Sequence, residues 1–292
     1  MLRWRILMGV TIVAGLVGLC WLDYHAPLPG LWLFPLGLIC MLMATDEILD
    51  LGRQVGGNPL PWTVYVGNVL LMISSWVPVV WERAAEAVPG ATAGTWPMLA
   101  LALTVLLVFG GEMYRFQKPG GAALNVAMAV LAIVYVGLMF GLLAQLRVRW
   151  GLPGLISLIV VVKAGDIGAY TVGRLVGRHK MAPRLSPGKT TEGAIGALTF
   201  GVLAAWITFV WVMPPMEGTA QQTAWWGWLL FGLLVATAGM VGDLAESLMK
   251  REAGRKDSST WLPGFGGVLD IVDSILLAAP VAWFCWALGL VA

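Results

Sequence analysis

Nine apolar runs, at about 4–22, 28–45, 62–80, 96–114, 122–145, 153–173, 191–213, 225–247 and 269–290, occupy most of this chain of 292 residues. Each is near the roughly 20 residues that a helix needs to cross a bilayer. This feature removes most folds at once. An open sheet cannot satisfy its backbone N–H and C=O groups in lipid, so every run reads as a helix. The expected fold class is all-α: a polytopic integral membrane protein with about nine transmembrane helices. Only 12% of the residues are charged, against about 25% in a soluble domain. The 37 glycines suit close helix packing, and Trp62, Trp81, Trp96, Trp150 and Trp225 stand near run ends, where an interfacial belt is expected. Residues 2–22 are long enough to remain as a first helix rather than a cleaved signal. Cys20, Cys40 and Cys285 lie in apolar runs at spacings that fit neither a zinc site nor a disulfide framework, and read as small buried hydrophobes.

Lysine and arginine set the orientation. With the N-terminus in the cytoplasm, 14 of the 18 fall on the cytoplasmic side, three (Arg83, Arg147, Arg149) on the outside, and Lys163 within a run. That bias places the C-terminus outside.

The exception to this apolar pattern is Val241–Ser274, which carries ten charges: Asp243, Glu246, Lys250, Arg251, Glu252, Arg255, Lys256, Asp257, Asp270 and Asp273. A solvated, positive-inside loop accounts for the bases but not for acids inside the flanking apolar runs, where ionisable groups are costly and point to function. Asp243, Glu246, Ser247 and Lys250 are spaced i, i+3, i+4, i+7 and share a helical face. Asp270 and Asp273 share a face at the start of the next helix. Between them Pro263, Gly264, Gly266 and Gly267 allow a tight turn whose amides can point at a ligand. Carboxylates at two helix ends, joined by a basic, Gly-rich loop, suit a hard cation and a polyphosphate.

The sixth run holds Lys163, Asp166, Tyr170 and Arg174 on a polar face. A Lys163–Asp166 pair that neutralises itself is one reading; the other sets Asp166 in the same polar cavity as Asp243 and Asp270. After it comes Ser186-Pro-Gly-Lys189-Thr190-Thr-Glu192-Gly193. A P-loop is excluded, because its first glycine would fall at Pro183 and no strand precedes it. Ser186, Thr190 and the local amides can instead cradle phosphate at a helix start, with Lys189 adding charge and Glu192 capping the helix. His179 reads as a solvated loop residue. In the first half, Asp46, Glu47 and Asp50 read as a solvated helix end and Glu112–Arg115 as a local ion pair.

The run Ser247-x-Met249-Lys250-Arg251, then Lys256-Asp257, then Leu262-Pro263-Gly264-Phe265-Gly266-Gly267-x-x-Asp270-x-x-Asp273 resembles the signature of the phosphatidate cytidylyltransferases, the CDP-diacylglycerol synthases. Asp166-x-x-Ala169-Tyr170-x-x-Gly173 and Ser186-Pro-x-Lys189-Thr190-x-Glu192-Gly193 are similar to two further motifs of that family. Two positions depart from it: Phe265 stands where the family has His, and Ile271 where it has Arg. The resemblance covers about residues 160–275. It implies a scaffold region over 1–150 and a catalytic region over 151–292, with the site on the cytoplasmic side of a cell inner membrane. It implies transfer of a cytidylyl group from CTP to phosphatidate, with Asp243, Asp270, Lys250 and Asp273 catalytic and Asp243, Asp270, Asp273 and Asp166 holding Mg²⁺, with room for a second cation. Ser186, Lys189, Thr190, Arg251, Lys256, Asp166, Gly266 and Gly267 would bind the nucleotide. The expected partners are the two substrates and the bilayer, with no nucleic acid and with a homodimer allowed. The alternatives are a CTP-dependent enzyme on another lipid, such as a polyprenol kinase, and a transporter or inactive membrane partner. Transport would favour repeated, interrupted helices, and the two halves show no repeat.

Overall fold

The computed structural model describes residues 2–80, 94–213, 223–261 and 266–291. Among them the chain forms nine long helices: α1 Leu2–Tyr24, α2 Leu33–Gln54, α3 Pro61–Val80, α4 Thr95–Arg115, α5 Ala122–Arg149, α6 Gly151–Val176, α7 Thr191–Val212, α8 Trp225–Glu252 and α9 Leu269–Ala287. The last six are each long and apolar enough to cross a membrane. The protein is therefore a multi-pass membrane protein whose described residues are almost all helical. Large apolar side chains on α4, such as Met98, Leu103 and Leu106, are exposed, the surface expected where lipid rather than water is the solvent.

One element departs from the all-helix expectation. Lys180–Ala182 (β1) and Ser186–Thr190 (β2) pair antiparallel, with Lys180 opposite Thr190 and Ala182 opposite Ser186. Pro183 and Arg184, at the turn, leave too short a polar segment to start a helix, and a two-stranded ladder satisfies its amides instead.

The chain folds as two compact units: Met1–Arg149 with Glu252–Ile271, and Trp150–Arg251 with Val272–Ala292. In the first, α3 packs on α2, α4 and α5. Helix α5 widens into a π turn at Ile133–Leu138, where Gly137 lies against Asn68 and a Cβ would overlap its side chain. Asn68 in turn donates to Thr45 Oγ1 at 2.7 Å. Arg147, expected in an outer loop, is instead buried on α5 and pairs with Asp23 at 2.6 Å. The Asp23 carboxylate also accepts from the Gly30, Trp32 and Leu33 amides, which fixes the α1–α2 turn. The expected Glu112–Arg115 pair is present at 2.9 Å. At the other end of α2, Gly56 takes a left-handed φ of 88° and the Gly57 amide returns to Gly52 O, a glycine helix stop.

In the second unit, α6 and α7 run against each other along glycines. A Cβ on Gly196 would stand 2.6 Å from both Gly168 O and Val172 Cβ. Small residues let two backbones approach this closely, which is how helices associate where no hydrophobic force acts between them. Gly196→Ala should therefore cost about 1–3 kcal/mol, read as a lower melting temperature of the detergent-solubilised protein. Gly110→Ala, where a Cβ meets nothing within 4 Å, should not lower it.

Candidate active site

The second unit gathers acids and bases from four elements. Helix α8 comes so close to α9 that a Cβ on Gly242 would stand 2.6 Å from Asp273 O. Gly239 lies against Val162 of α6 at 3.4 Å by the same measure. These two contacts set Asp243 beside Asp273 and turn the polar face of α6 toward α8. The charge of Asp243 reaches both Asp166 and Asp273. Asp243 Oδ2 is 2.8 Å from the Lys189 ammonium, and its Oδ1 is 3.5 Å from Ser247 Oγ. So the lysine of the Ser-Pro-Gly-Lys-Thr segment meets the first acid of the charged stretch.

The rest of the cluster is paired as well. Lys163 and Asp166 bond at 3.0 Å and are about 38% and 40% exposed. Glu246 is fully buried and pairs with Lys250 at 2.6 Å. Asp273, 5% exposed, accepts from the Ser274 amide and hydroxyl and lies within hydrogen-bond reach of Glu246.

Several side chains do something other than the sequence suggested. Thr190 Oγ1 accepts from the Gly193 amide at 3.1 Å, so Thr190 is the N-cap of α7. Glu192, expected to cap that helix, reaches back to the Arg178 and His179 amides and pairs with the His179 ring at 2.6 Å. The cap position was already filled, and the exposed amides at 178 and 179 offered the carboxylate better donors. Arg251 donates to Leu185 O at 3.1 Å and so steadies the turn of the hairpin. Tyr170 takes a hydrogen bond from Arg174 at 2.6 Å.

The first unit holds the other part of the charged stretch. Pro263, Gly264 and Phe265 lie outside the described residues. Lys256 is exposed. Gly267 N, in the turn expected to face a ligand, donates to Asp270 Oδ2 at 2.7 Å, and the Val268 and Leu269 amides after it donate to Glu47 at 2.9 and 2.8 Å. A Cβ on Gly267 would overlap Glu47 Oε2 and Ser258 Oγ, and Gly266 has a φ of 88°. These glycines admit a carboxylate against the backbone. Glu47 is buried, not solvated, and Asp50 pairs with Arg255 at 2.6 Å. Asp46 accepts from the Tyr65 hydroxyl. No local signal marks Glu47; its partners are 211 to 222 positions away.

Among the described residues no three of His, Cys, Asp and Glu stand close enough together to hold a metal ion by themselves. Mg²⁺ commonly takes only one or two protein carboxylates and completes its shell with water and substrate phosphates. Asp243, about 40% exposed and within electrostatic reach of two further acids, fits that mode.

Acids paired with lysines on and beside apolar helices are the features of a membrane enzyme that acts on a charged substrate. The chain belongs to the cytidylyltransferase family, whose sequence model matches residues 3–288. It is 31% identical over 283 residues to a phosphatidate cytidylyltransferase of Mycobacterium bovis, covering 94% of this chain and 87% of the relative. Another from Synechocystis is 28% identical over 306 residues, covering 94% of each. One from Pseudomonas aeruginosa is 38% identical over 187 residues, covering 64% of this chain and 65% of the relative.

Proposed function

We propose that the protein transfers the cytidylyl group of CTP to phosphatidate, giving CDP-diacylglycerol and pyrophosphate. The proposed setting is a cell inner membrane that the chain crosses nine times, with the N-terminus cytoplasmic. The observation that carries the reading is the 2.8 Å contact of Lys189 with Asp243. It joins the Ser186–Gly193 motif, which resembles the phosphatidate cytidylyltransferases, to the acid one helical turn before the Ser247–Asp273 signature, within a chain of that family.

In the reaction a phosphate oxygen of phosphatidate attacks the α-phosphorus of CTP in line. The new O–P bond forms as the bond from the α-phosphorus to the bridging oxygen breaks, and pyrophosphate leaves with that electron pair. No covalent intermediate on the protein is needed, so catalysis is positioning and charge neutralisation. Lys189 and Lys250, with Arg251 and Lys256, neutralise the triphosphate, and Ser186 donates to it. Asp243, with Asp273 and Asp166, would hold Mg²⁺, and Asp270 keeps the metal role that the resemblance gives it. When bound, Mg²⁺ supplies positive charge to the phosphate oxygens. Lys163 holds Asp166 in place at 3.0 Å.

The test is CTP-dependent pyrophosphate release by purified protein, with phosphatidate and with a panel of other lipid phosphates and polyprenols. Pyrophosphate release with phosphatidate is expected; release of CDP in its place, and only with a polyprenol, would make the protein a lipid kinase. Lys189→Ala should raise the KM for CTP about tenfold or more, the scale of a lost charge-assisted bond, and leave that for phosphatidate unchanged. The opposite split would assign Lys189 to the lipid.

A further inference from the structure

The geometry points to Glu47 of α2 as a positioning residue for the charged loop, gripping Ser258 and Ser259 together with Val268 and Leu269. This rests on the proposed function in taking that loop to serve the CTP triphosphate.

Glu47 is 3% exposed. A carboxylate at that depth persists only where donors surround it. Glu47 Oε1 accepts from Ser259 Oγ at 3.1 Å and Val268 N at 2.9 Å, and Oε2 accepts from Ser258 Oγ and Leu269 N, both at 2.8 Å. Each oxygen thus takes one donor from residues 258–259 and one from residues 268–269, so a single side chain ties the two stretches together.

The link continues to Asp270. Ser258 Oγ is 2.6 Å from Asp270 Oδ2 as well as 2.8 Å from Glu47 Oε2. The Ser258 and Gly267 amides also donate to Asp270 Oδ2, at 2.9 and 2.7 Å. One hydroxyl carries one proton, so the two carboxylates share a single bridging donor, and a shift of Glu47 moves the group that orients Asp270. Gly267 is the residue that leaves room for this arrangement. One turn along the same face of α2, Asp50 pairs with Arg255 at 2.6 Å. Helix α2 therefore holds a base, a serine pair and an acid of the loop in register, with none of its own residues required at the reacting atoms.

Glu47→Gln tests this. The amide keeps the volume but has one acceptor oxygen. Whichever way it is turned, its NH₂ faces either the Val268 or the Leu269 N–H. Turnover should fall by about a hundredfold, the cost of roughly 1 Å of misplacement, with a raised KM for CTP and an unchanged KM for phosphatidate. Hydrogen exchange at Val268 and Leu269 should quicken while exchange on α2 stays slow. That readout needs no substrate, so it reports on Glu47 even where phosphatidate proves not to be the acceptor. Asp46→Asn, which keeps an acceptor oxygen for the Tyr65 hydroxyl of α3, should behave as wild type. Ser259→Ala is the milder variant should Glu47→Gln not fold, and it should raise the KM for CTP in the same selective way. Unchanged exchange at Val268 and Leu269, or equal rises in both Michaelis constants, would overturn the assignment.

Discussion

Asp243→Asn should lower CTP-dependent turnover by at least about two orders of magnitude, the scale on which losing a principal electrostatic stabiliser acts, while the protein stays folded. The two halves of this expectation have separate physical bases. Asp243 is about 40% exposed and its partner Lys189 about 21%, and a pair of that exposure contributes at most about 1 kcal/mol to stability. Asparagine keeps the shape and one acceptor oxygen, so the close contact of Gly242 with α9 is undisturbed. What is lost is charge. Asp243 is the acid whose field reaches both Asp166 and Asp273, and it is the carboxylate that pairs with Lys189. Without it the site loses a ligand for a hard cation, and Lys189 loses the partner that aims it. Pyrophosphate release at varied Mg²⁺, beside a melting curve, separates the two. A variant that turns over like wild type would remove Asp243 from the metal assignment.

The division between what the sequence discloses and what it hides follows from distance along the chain. Helix geometry relates residues three and four apart, so the shared face of Asp243, Glu246, Ser247 and Lys250 was legible, and the structure uses it in the 243–247 and 246–250 contacts. The same rule gives Lys163–Asp166 and Glu112–Arg115. The nine apolar runs were legible as helices because lipid leaves so few alternatives. Glu47 was not legible. It sits in Asp46-Glu47-Ile48-Leu49-Asp50, which on local pattern is an ordinary polar helix end, and nothing within a helical turn announces donors more than two hundred residues on. Of the glycines expected in a tight turn, Gly266 has a left-handed φ of 88° and Gly267 leaves room for an acceptor, while Gly264 lies outside the described residues. That acceptor is the protein's own carboxylate, and spacing alone does not tell an internal acceptor from an external one. The hairpin was missed for a related reason: three-residue and five-residue strands without alternation carry no period to detect.

Lys250→Met should be the most destabilising single change in the polar cluster, and its cost can be separated from its effect on catalysis. Glu246 is fully buried and its Oε2 lies 2.6 Å from the Lys250 ammonium. Removing the cation leaves a carboxylate in a low-dielectric site, which costs about 3–5 kcal/mol. The melting temperature of the solubilised protein should fall accordingly. Adding Glu246→Gln removes the stranded charge as well, and replacement of both partners by neutral groups of similar volume is often close to neutral. The double variant Glu246→Gln/Lys250→Met should therefore melt near wild type. Activity then decides what Lys250 is for. If its charge serves only to hold Glu246, turnover returns together with stability. The proposed role, neutralising the triphosphate, requires the opposite: a protein of restored stability whose turnover stays at least about a hundredfold down. A double variant that recovers both would take Lys250 out of the catalytic set and leave it as half of a structural pair.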